Sequence, residues 1–304
     1  SRSRWWKRPT GAYRRPMKKF YIIANEDKQN TKRTLKRIGE YLSLKGASWI
    51  VHESREEEEG RRPDLGFKYT DPKGVPKDTD CVITLGGDGT LIQAARDLAG
   101  LNIPILGINL GTLGYLTQGN GQDVPEILEA LLSDHYVLER RLMLKGRKEG
   151  QDGTDFQDIA LNEIVVTRKD SMKVTKLSVS VNGRFFSSYT ANGVILSTPT
   201  GSTAYNLSAG GPIAAPNCRI MILTSICSHT LNMRSIVLCA DDIVRIEILD
   251  GGDGEQTAVF DGDTAVDMSK GDVIEISRSA VETIMVKLND ESFLDNVRNK
   301  MAGI

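Results

Sequence analysis

The sequence predicts an α/β, Rossmann-like N-terminal domain followed by a β-rich, β-sandwich-like C-terminal domain. From Phe20 to about residue 140, short apolar runs alternate with helical patterns, which favours a parallel sheet covered by helices on both faces. Beyond residue 140, short segments of alternating polarity and turn signals replace that pattern. A length of 304 residues fits two domains of ordinary size.

The elements of the first domain follow from apolar periodicity. A strand at 20–24 precedes a helix at 31–45, in which Leu35, Ile38 and Leu42 share one face. A strand at 48–51 comes next. The following segment, 53–76, contains an acidic run and several Gly and Pro and is predicted to form a long exposed loop. The remaining predictions are a strand at 81–85, a helix at 90–98 that stops at Gly100, and a strand at 104–108.

The second domain is predicted to consist mainly of short strands, with Asn182-Gly183 as a hairpin turn. Its clearest strands are 162–166, 177–181, 189–196, 244–248 and 273–276. The chain closes with a strand at 284–288 and an amphipathic helix at 293–301, which we expect to return to the first domain. The predicted domains are therefore 17–140 joined by 284–304, and 141–283.

The first 16 residues form a separate, basic unit that includes Trp5 and Trp6 and contains no acid. Such an arm is able to contact nucleic acid or an anionic surface, but we expect a disordered tail instead. The rest of the chain has no second basic feature, and the formal net charge is -1. Nucleic acid is therefore not an expected partner.

Composition also limits the location and the metal chemistry. No apolar stretch approaches the roughly 20 residues that span a bilayer, and the N-terminus lacks the apolar core of a signal peptide. We therefore expect a cytoplasmic protein without a membrane partner. The four cysteines lack paired metal-ligand spacing, so we predict reduced, mostly buried thiols and no protein-bound metal. Cys227 and His229 are the one close Cys and His pair.

The run Leu85-Gly86-Gly87-Asp88-Gly89-Thr90 places a carboxylate in a glycine turn between a buried strand and a helix. Glycines let backbone N–H groups approach a ligand, and a helix N-terminus favours negative charge, so this turn suits phosphate. An acid there repels phosphate unless it holds a cation or accepts a proton, and Asp88 therefore indicates chemistry. The alternative is that Asp88 simply caps the helix.

A second cluster of Gly and hydroxyl residues follows an apolar strand at 193–196. It reads Ser197-Thr198-Pro199-Thr200-Gly201-Ser202-Thr203-Ala204-Tyr205, and Ser208-Ala209-Gly210-Gly211-Pro212 comes soon after. Hydroxyl and backbone donors next to an aromatic ring suit a nucleotide, because Tyr205 can stack on a base or ribose. The alternative is a loop that caps a helix at Ser202.

Taken together, these motifs resemble those of the NAD kinases. The resemblance rests on Gly86-Gly87-Asp88-Gly89-Thr90, Asn162-Glu163 and Thr198–Tyr205, which occur in the family's order and spacing. It extends over nearly the whole chain and includes 111–117, 229–231 and Phe260-Asp261-Gly262. It implies transfer of the γ-phosphoryl group of ATP to the 2′-hydroxyl of the adenosine ribose of NAD, with Mg²⁺ or another divalent cation. It also implies a homodimer or homotetramer.

The resemblance assigns roles to individual residues. Asp88 is the implied general base, and Asn162 and Glu163 are expected to hold the adenosine part of NAD. The other implied NAD-binding residues are Gly89, Tyr115, Asn192, Thr200, Thr203, Ala204, Tyr205, Ser208 and His229. The implied phosphate-binding residues are Gly86, Gly87, Gly89 and Thr90.

Some positions depart from the family pattern. Asn192 stands where the family usually has Asp, so a charged acceptor is replaced by an amide. Asp263 stands where Gln is common, and Tyr115 where Phe is frequent, which preserves an aromatic ring. Two other functions share parts of the pattern: a non-catalytic NAD(P)-binding sensor, and a lipid kinase of the related superfamily. The 198–205 cluster argues against the lipid kinase, and Asp88 against the sensor.

Overall fold

The computed structural model describes residues 15–25, 30–52, 67–111, 114–150, 153, 155–169, 173–229, 234–250, 255–288 and 293–302. Predictions on other residues lie outside this description, among them most of the basic tail, the acidic run in 53–66, and Thr112 and Leu113. The helices are α1 (Thr31–Leu44), α2 (Asp88–Asp97), α3 (Val124–Leu132), α4 (Tyr205–Ser208) and α5 (Phe293–Ala302).

The strands form three sheets of six strands each. In chain order they are β1 (Lys19–Ala24), β2 (Ser48–Val51), β3 (Cys81–Gly86), β4 (Ile105–Asn109), β5 (Val137–Arg141), β6 (Leu144–Glu149), β7 (Asp155–Ala160), β8 (Glu163–Arg168), β9 (Thr175–Val181), β10 (Arg184–Ala191), β11 (Gly193–Ser197), β12 (Ile220–Ile226), β13 (Ile236–Cys239), β14 (Val244–Ile248), β15 (Gln256–Phe260), β16 (Thr264–Met268), β17 (Val273–Arg278) and β18 (Thr283–Lys287).

The first sheet has the order β2-β1-β3-β4-β18-β5 and is parallel except for β5. Helices cover both of its faces. On one face, Ile38 of α1 and Leu128 of α3 join the core, and on the other, Leu91 and Ala95 of α2 do so. This double cover explains why β3 is buried along its whole length and reads as an apolar run.

The other two sheets are antiparallel and pack on each other. Their orders are β10-β9-β14-β17-β6-β7 and β13-β12-β11-β8-β15-β16. Val179 and Ile274 of the former share one hydrophobic core with Val194 and Phe260 of the latter. Two sheets around a shared core form a sandwich. The predicted fold class is therefore confirmed.

The chain returns to the first sheet after the sandwich. β18 pairs parallel with β4 at Met285 and antiparallel with β5 along 283–287, and α5 follows. The exact domain boundaries at 140 and 283 stay a prediction. Among the described residues, none of the helices is both long enough and apolar enough to cross a membrane.

Several local predictions are wrong. The predicted strand at 189–196 breaks at Asn192, because β10 and β11 belong to different sheets. Residues 67–76 are not an exposed loop: Phe67, Thr70 and Val75 are buried, since Asp97 accepts the N–H groups of 68–70 and holds this segment against α2.

Two further differences concern a helix end and the cysteines. Helix α2 covers 88–97 instead of the predicted 90–98, and a 3-10 turn (Ala99–Leu101) follows it and contains Gly100. The cysteines are free thiols, but only Cys81 is buried, whereas Cys227 and Cys239 are exposed. These two lie at strand ends on the surface, so their apolar neighbours in sequence do not bury them.

Candidate active site

The glycine turn joins β3 to α2 at the edge of the first sheet. α2 begins at Asp88, and Gly87 occupies the N-cap position without a side-chain cap. A Cβ on Gly86 would lie 2.3 Å from the Thr90 hydroxyl oxygen, so only glycine lets the strand end pack against the first turn of the helix. Among the residues that the structure describes, a Cβ on Gly87 or Gly89 would have no atom within 4 Å. The turn therefore leaves open space beside a helix N-terminus.

The carboxylate of Asp88 is bound to a second loop. Its Oδ2 accepts the N–H of Tyr115 at 2.7 Å, and its Oδ1 accepts the N–H of Leu116 at 3.2 Å. A Cβ on Gly114 would lie only 1.9 Å from Asp88 Oδ1, so glycine is needed for this approach. Asp88 is thus not the helix cap of the alternative interpretation, because it is the first helical residue and its side chain binds the 115–116 backbone.

The Asn162-Glu163 pair forms a turn at the start of β8. The carboxylate of Asp261 accepts three consecutive N–H groups there, from Leu161 at 2.7 Å, Asn162 at 2.7 Å and Glu163 at 3.0 Å. Gly201 packs against the same turn, since a Cβ on it would lie 2.1 Å from the Asn162 carbonyl oxygen. The second glycine cluster and the Asn162-Glu163 pair are therefore one structural unit.

Glu163 has an unusual electrostatic environment. Burial, together with the neighbouring Asp261 carboxylate, raises the pKa of Glu163 to about 8. Its Oε2 is buried and has no hydrogen-bond partner within the described part of the chain. A buried oxygen without a partner carries a desolvation penalty. A ligand that offers a hydrogen-bond donor at this position would remove that penalty.

The segment that follows β11 is held by its own polar side chains. Thr198 donates to the Leu161 carbonyl at 2.6 Å, and Ser202 donates to the Pro199 carbonyl at 2.7 Å. Asn206 is fully buried, donates to the carbonyls of Ser202 and Pro212, and accepts from Thr224. These bonds fix the backbone from both sides.

The predicted binding residues of this segment differ in exposure. Thr200 is buried and accepts from Arg141 at 3.4 Å, whereas Thr203 and Ala204 are half-buried. Tyr205 is 44% exposed, and Ser208 is also exposed. A ring that is exposed beside a fixed backbone is available to a ligand.

Asn192 and His229 lie at the other end of β11. Asn192 donates its N–H to Ile226, and His229 donates its N–H to Thr190. Glu163 pairs with Ser197, five residues along the chain from Asn192. Five residues of antiparallel strand span about 17 Å. The structure therefore does not bring Asn192 and His229 to the Asn162-Glu163 turn.

The structure adds residues to which the sequence gave no role. Asp261, known from the sequence only as part of the Phe260-Asp261-Gly262 motif, and Asn206 hold the two binding turns, and Arg141 of β5 reaches across to Thr200. Arg96 of α2 donates to Asp158 and Thr264 of the sandwich. The Asp-Gly pair of Phe260-Asp261-Gly262 is the sequence signal for a turn at Asp261, and in the structure Asp261 and Gly262 both have positive φ. A charged residue on a helix gave no such signal for Arg96.

Two family models match successive parts of this chain. The ATP-NAD kinase N-terminal domain matches residues 20–136, and the ATP-NAD kinase C-terminal domain matches residues 161–288. A curated relative, a NAD kinase of Lachnospira eligens, is 41% identical over 297 residues, which cover 94% of this chain and 100% of the relative.

Two solved structures share the fold. A yeast NADH kinase complexed with NADH has a TM-score of 0.78 and 24% identity, covering 95% of this chain and 88% of its own. A NAD kinase from Archaeoglobus fulgidus in complex with ATP has a TM-score of 0.71 and 24% identity, covering 94% of this chain and 99% of its own. At this identity, the likeness concerns the architecture.

Proposed function

This chain belongs to the ATP-NAD kinase family and is an ATP-dependent NAD kinase, and we propose that Asp88 is the general base of its reaction. The reaction transfers the γ-phosphoryl group of ATP to the 2′-hydroxyl of the adenosine ribose of NAD, giving NADP and ADP. The observation that carries the proposal is the carboxylate held between the first turn of α2 and the N–H groups of Tyr115 and Leu116.

In the proposed step, Asp88 accepts the proton of the 2′-hydroxyl. The hydroxyl oxygen forms a bond to the γ-phosphorus while the bond from that phosphorus to the β–γ bridging oxygen breaks, and ADP leaves. An ionised carboxylate has about four lone-pair sites, so one N–H at each oxygen leaves capacity for a hydroxyl. The two N–H groups keep the base in one orientation, which is a large part of catalysis by positioning.

We assign phosphate binding to Gly86, Gly87, Gly89 and Thr90. The first N–H groups of a helix have no acceptor within the helix, and they carry the positive end of its dipole. The open space beside Gly87 and Gly89 lets phosphate oxygens approach these groups. Such amides stabilise charge on the transferring group without reorganisation.

A divalent cation fits this site as a companion of ATP. Within the described ranges, no three Asp, Glu, His or Cys side chains lie together as a metal site. Mg²⁺ is commonly bound by substrate phosphates and one or two carboxylates, and Asp88 is a carboxylate at the glycine turn. Carried by the phosphates of ATP, Mg²⁺ would neutralise phosphate charge beside the glycine turn.

We assign the adenosine part of NAD to the turn that contains Asn162 and Glu163. The unpartnered Oε2 of Glu163 is available for a hydrogen bond with a ribose hydroxyl or with the base, and the Asn162 amide offers both a donor and an acceptor. The remaining residues that we place against adenosine are Gly89, Tyr115, Thr200, Thr203, Ala204, Tyr205 and Ser208.

Asn192 lies about 17 Å along the chain of β11 from the Asn162-Glu163 turn, and His229 is bonded to Thr190, close to Asn192 in sequence. They are therefore candidates for the other end of the dinucleotide. A homodimer or homotetramer and a cytoplasmic location also belong to the proposal, and light scattering would measure the assembly.

The test is an assay of NADP formation from NAD, ATP and Mg²⁺, run with and without a chelator, together with calorimetric titration of NAD. We expect product only with Mg²⁺ present. NAD binding without product under all conditions would contradict the proposal and favour the non-catalytic sensor. Phosphorylation of a lipid in place of NAD would favour the lipid kinase.

A further inference from the structure

The guanidinium of Arg96 is buried between the two halves of the molecule. Arg96 is the ninth residue of α2, the helix that begins at Asp88, and the residue is 3% exposed. Its Nε donates to the Ile159 carbonyl at 3.0 Å, and its Nη2 donates to Asp158 at 2.6 Å and Thr264 at 2.8 Å.

The third nitrogen of the guanidinium, Nη1, also donates to the sandwich. It donates to Asp263 at 2.9 Å and to the Phe260 carbonyl at 3.4 Å. A guanidinium has five N–H donors. All five of Arg96 are therefore used, and every acceptor belongs to the strands and turns of the sandwich rather than to the first sheet.

Arg96 is also close to the residue that holds the adenosine turn. Its Nε lies 3.9 Å from Asp261 Oδ2, and both side chains are almost fully buried. Asp261 accepts the N–H groups of Leu161, Asn162 and Glu163. Burial raises the pKa of Asp261, and the Arg96 charge and those N–H groups oppose that rise. Without Arg96, the carboxylate that orders the turn loses its one close cation among the described residues.

Asp263 strengthens the same junction. Besides Arg96, it accepts from Lys68 at 2.8 Å and from the Tyr69 hydroxyl at 2.6 Å. Asp97, next to Arg96 on α2, accepts the backbone N–H groups of residues 68–70. The end of α2 is thus tied to the 261–263 turn by two routes.

We propose that Arg96 is a positioning residue that, through Asp261, fixes the Asn162-Glu163 turn relative to Asp88 on the same helix. The inference rests on the proposed roles of Asp88 and of the adenosine turn. Asp88 and Arg96 are eight residues apart in one rigid helix, a rise of about 12 Å. The 2′-hydroxyl must reach the base while the adenosine is held by the turn, so the relative position of the two controls the rate.

The test compares Arg96→Lys and Arg96→Met with Lys148→Met. The control removes another buried ion pair, Lys148 with Asp272 at 3.1 Å, which lies in a different sheet from Asp261 and Glu163. The readouts are kcat, KM for NAD, urea unfolding, and hydrogen exchange of the amides of residues 161–163. Lysine keeps the charge but offers only three donors without the planar fork.

We expect both Arg96 variants to lower kcat by roughly 10- to 100-fold and to raise exchange at 161–163 above the level of the control. Lys148→Met should lose stability and keep kcat within about twofold of wild type. Folded Arg96 variants that match the control in kcat and in exchange would overturn the inference, since they would show a purely structural role.

If the Arg96 variants do not fold, Asp263→Asn serves the same purpose, because it weakens the junction and leaves the other Arg96 bonds intact. We expect it to change the same two readouts by a smaller amount, and wild-type values for both would refute the inference. Hydrogen exchange needs no catalysis. A failure of the proposed base, measured with Asp88→Asn, is therefore distinguishable from a failure of the positioning role.

Discussion

Gly114 sets the position of the proposed base, and Gly114→Ala is the perturbation that isolates this effect. The added Cβ would lie 1.9 Å from Asp88 Oδ1, 2.3 Å from Cγ and 2.5 Å from Oδ2. Ordinary van der Waals contact begins at 3.4 Å. The carboxylate and the 114–116 loop must therefore separate by about 1.5 Å, which is more than the N–H bonds from Tyr115 and Leu116 tolerate.

A displacement of about 1 Å in a reacting group costs roughly 100-fold in rate. We therefore expect Gly114→Ala to lower kcat on the order of 100-fold, which corresponds to about 2.7 kcal/mol of transition-state stabilisation. A coupled assay of NADP formation at saturating NAD and ATP measures kcat. Urea unfolding measures the accompanying loss of stability.

Gly111→Ala is the matched control in the same loop. Among the described residues its Cβ would meet only Asn109 Oδ1, at an ordinary 3.8 Å, so the substitution should leave kcat within about twofold. If Gly114→Ala retains the turnover of Gly111→Ala, the reasoning that ties the rate to the orientation of Asp88 is refuted.

Three further predictions concern the binding turns. The raised pKa of Glu163 means that wild-type stability falls as the pH rises from about 4.3 towards 8, because the unfolded carboxyl ionises first; Glu163→Gln removes this loss. Urea unfolding should thus show the variant gaining on wild type between pH 5 and pH 8, and a constant difference would contradict this. Asn206→Ala removes the three hydrogen bonds of a fully buried amide, to Ser202, Pro212 and Thr224, and should destabilise the protein by about 3 kcal/mol in urea. Tyr205→Ala should raise KM for NAD severalfold without lowering Tm, since the ring is 44% exposed; an unchanged KM would remove Tyr205 from the site.

The architecture could be predicted from the sequence because a strand that is buried on both faces of a sheet has an almost entirely apolar sequence. The all-apolar run of β3 and the helical spacing of Leu91, Ala94 and Ala95 in α2 predict a covered parallel sheet, and the structure has one. Helix α3 was not predicted. It is a short helix that begins at Val124 with Pro at its first turn, and its burial depends on packing against α1.

The break at Asn192 shows what local patterns cannot reveal. The residues on both sides of Asn192 favour strand, yet β10 and β11 pair in different sheets. β11 pairs with β8 from Gly193 onwards, where a Cβ would lie 2.4 Å from the Val166 carbonyl oxygen, whereas β10 pairs with β9. Strand propensity does not encode which sheet a strand joins.

The two motifs of the candidate site could be predicted from the sequence, but their contacts in three dimensions could not. The sequence indicated Asp88 and the 198–205 cluster, and their individual roles stay predictions. It could not show that Asp88 binds backbone 27 and 28 residues away, or that Arg96 lies buried against Asp261. Arginine on a helix is usually exposed to solvent, so the sequence predicts an exposed Arg96. Arg96 is buried because α2 packs against the sandwich.

Asp88 is the proposed acceptor of the proton of the 2′-hydroxyl. The most direct measurement is a single turnover by rapid quench, with enzyme in excess over NAD and with saturating ATP and Mg²⁺, for wild type and Asp88→Asn. We expect the asparagine variant to bind NAD with an affinity within about fivefold of wild type and to form NADP at least roughly 100-fold more slowly. Phosphoryl transfer at the wild-type rate would contradict the account.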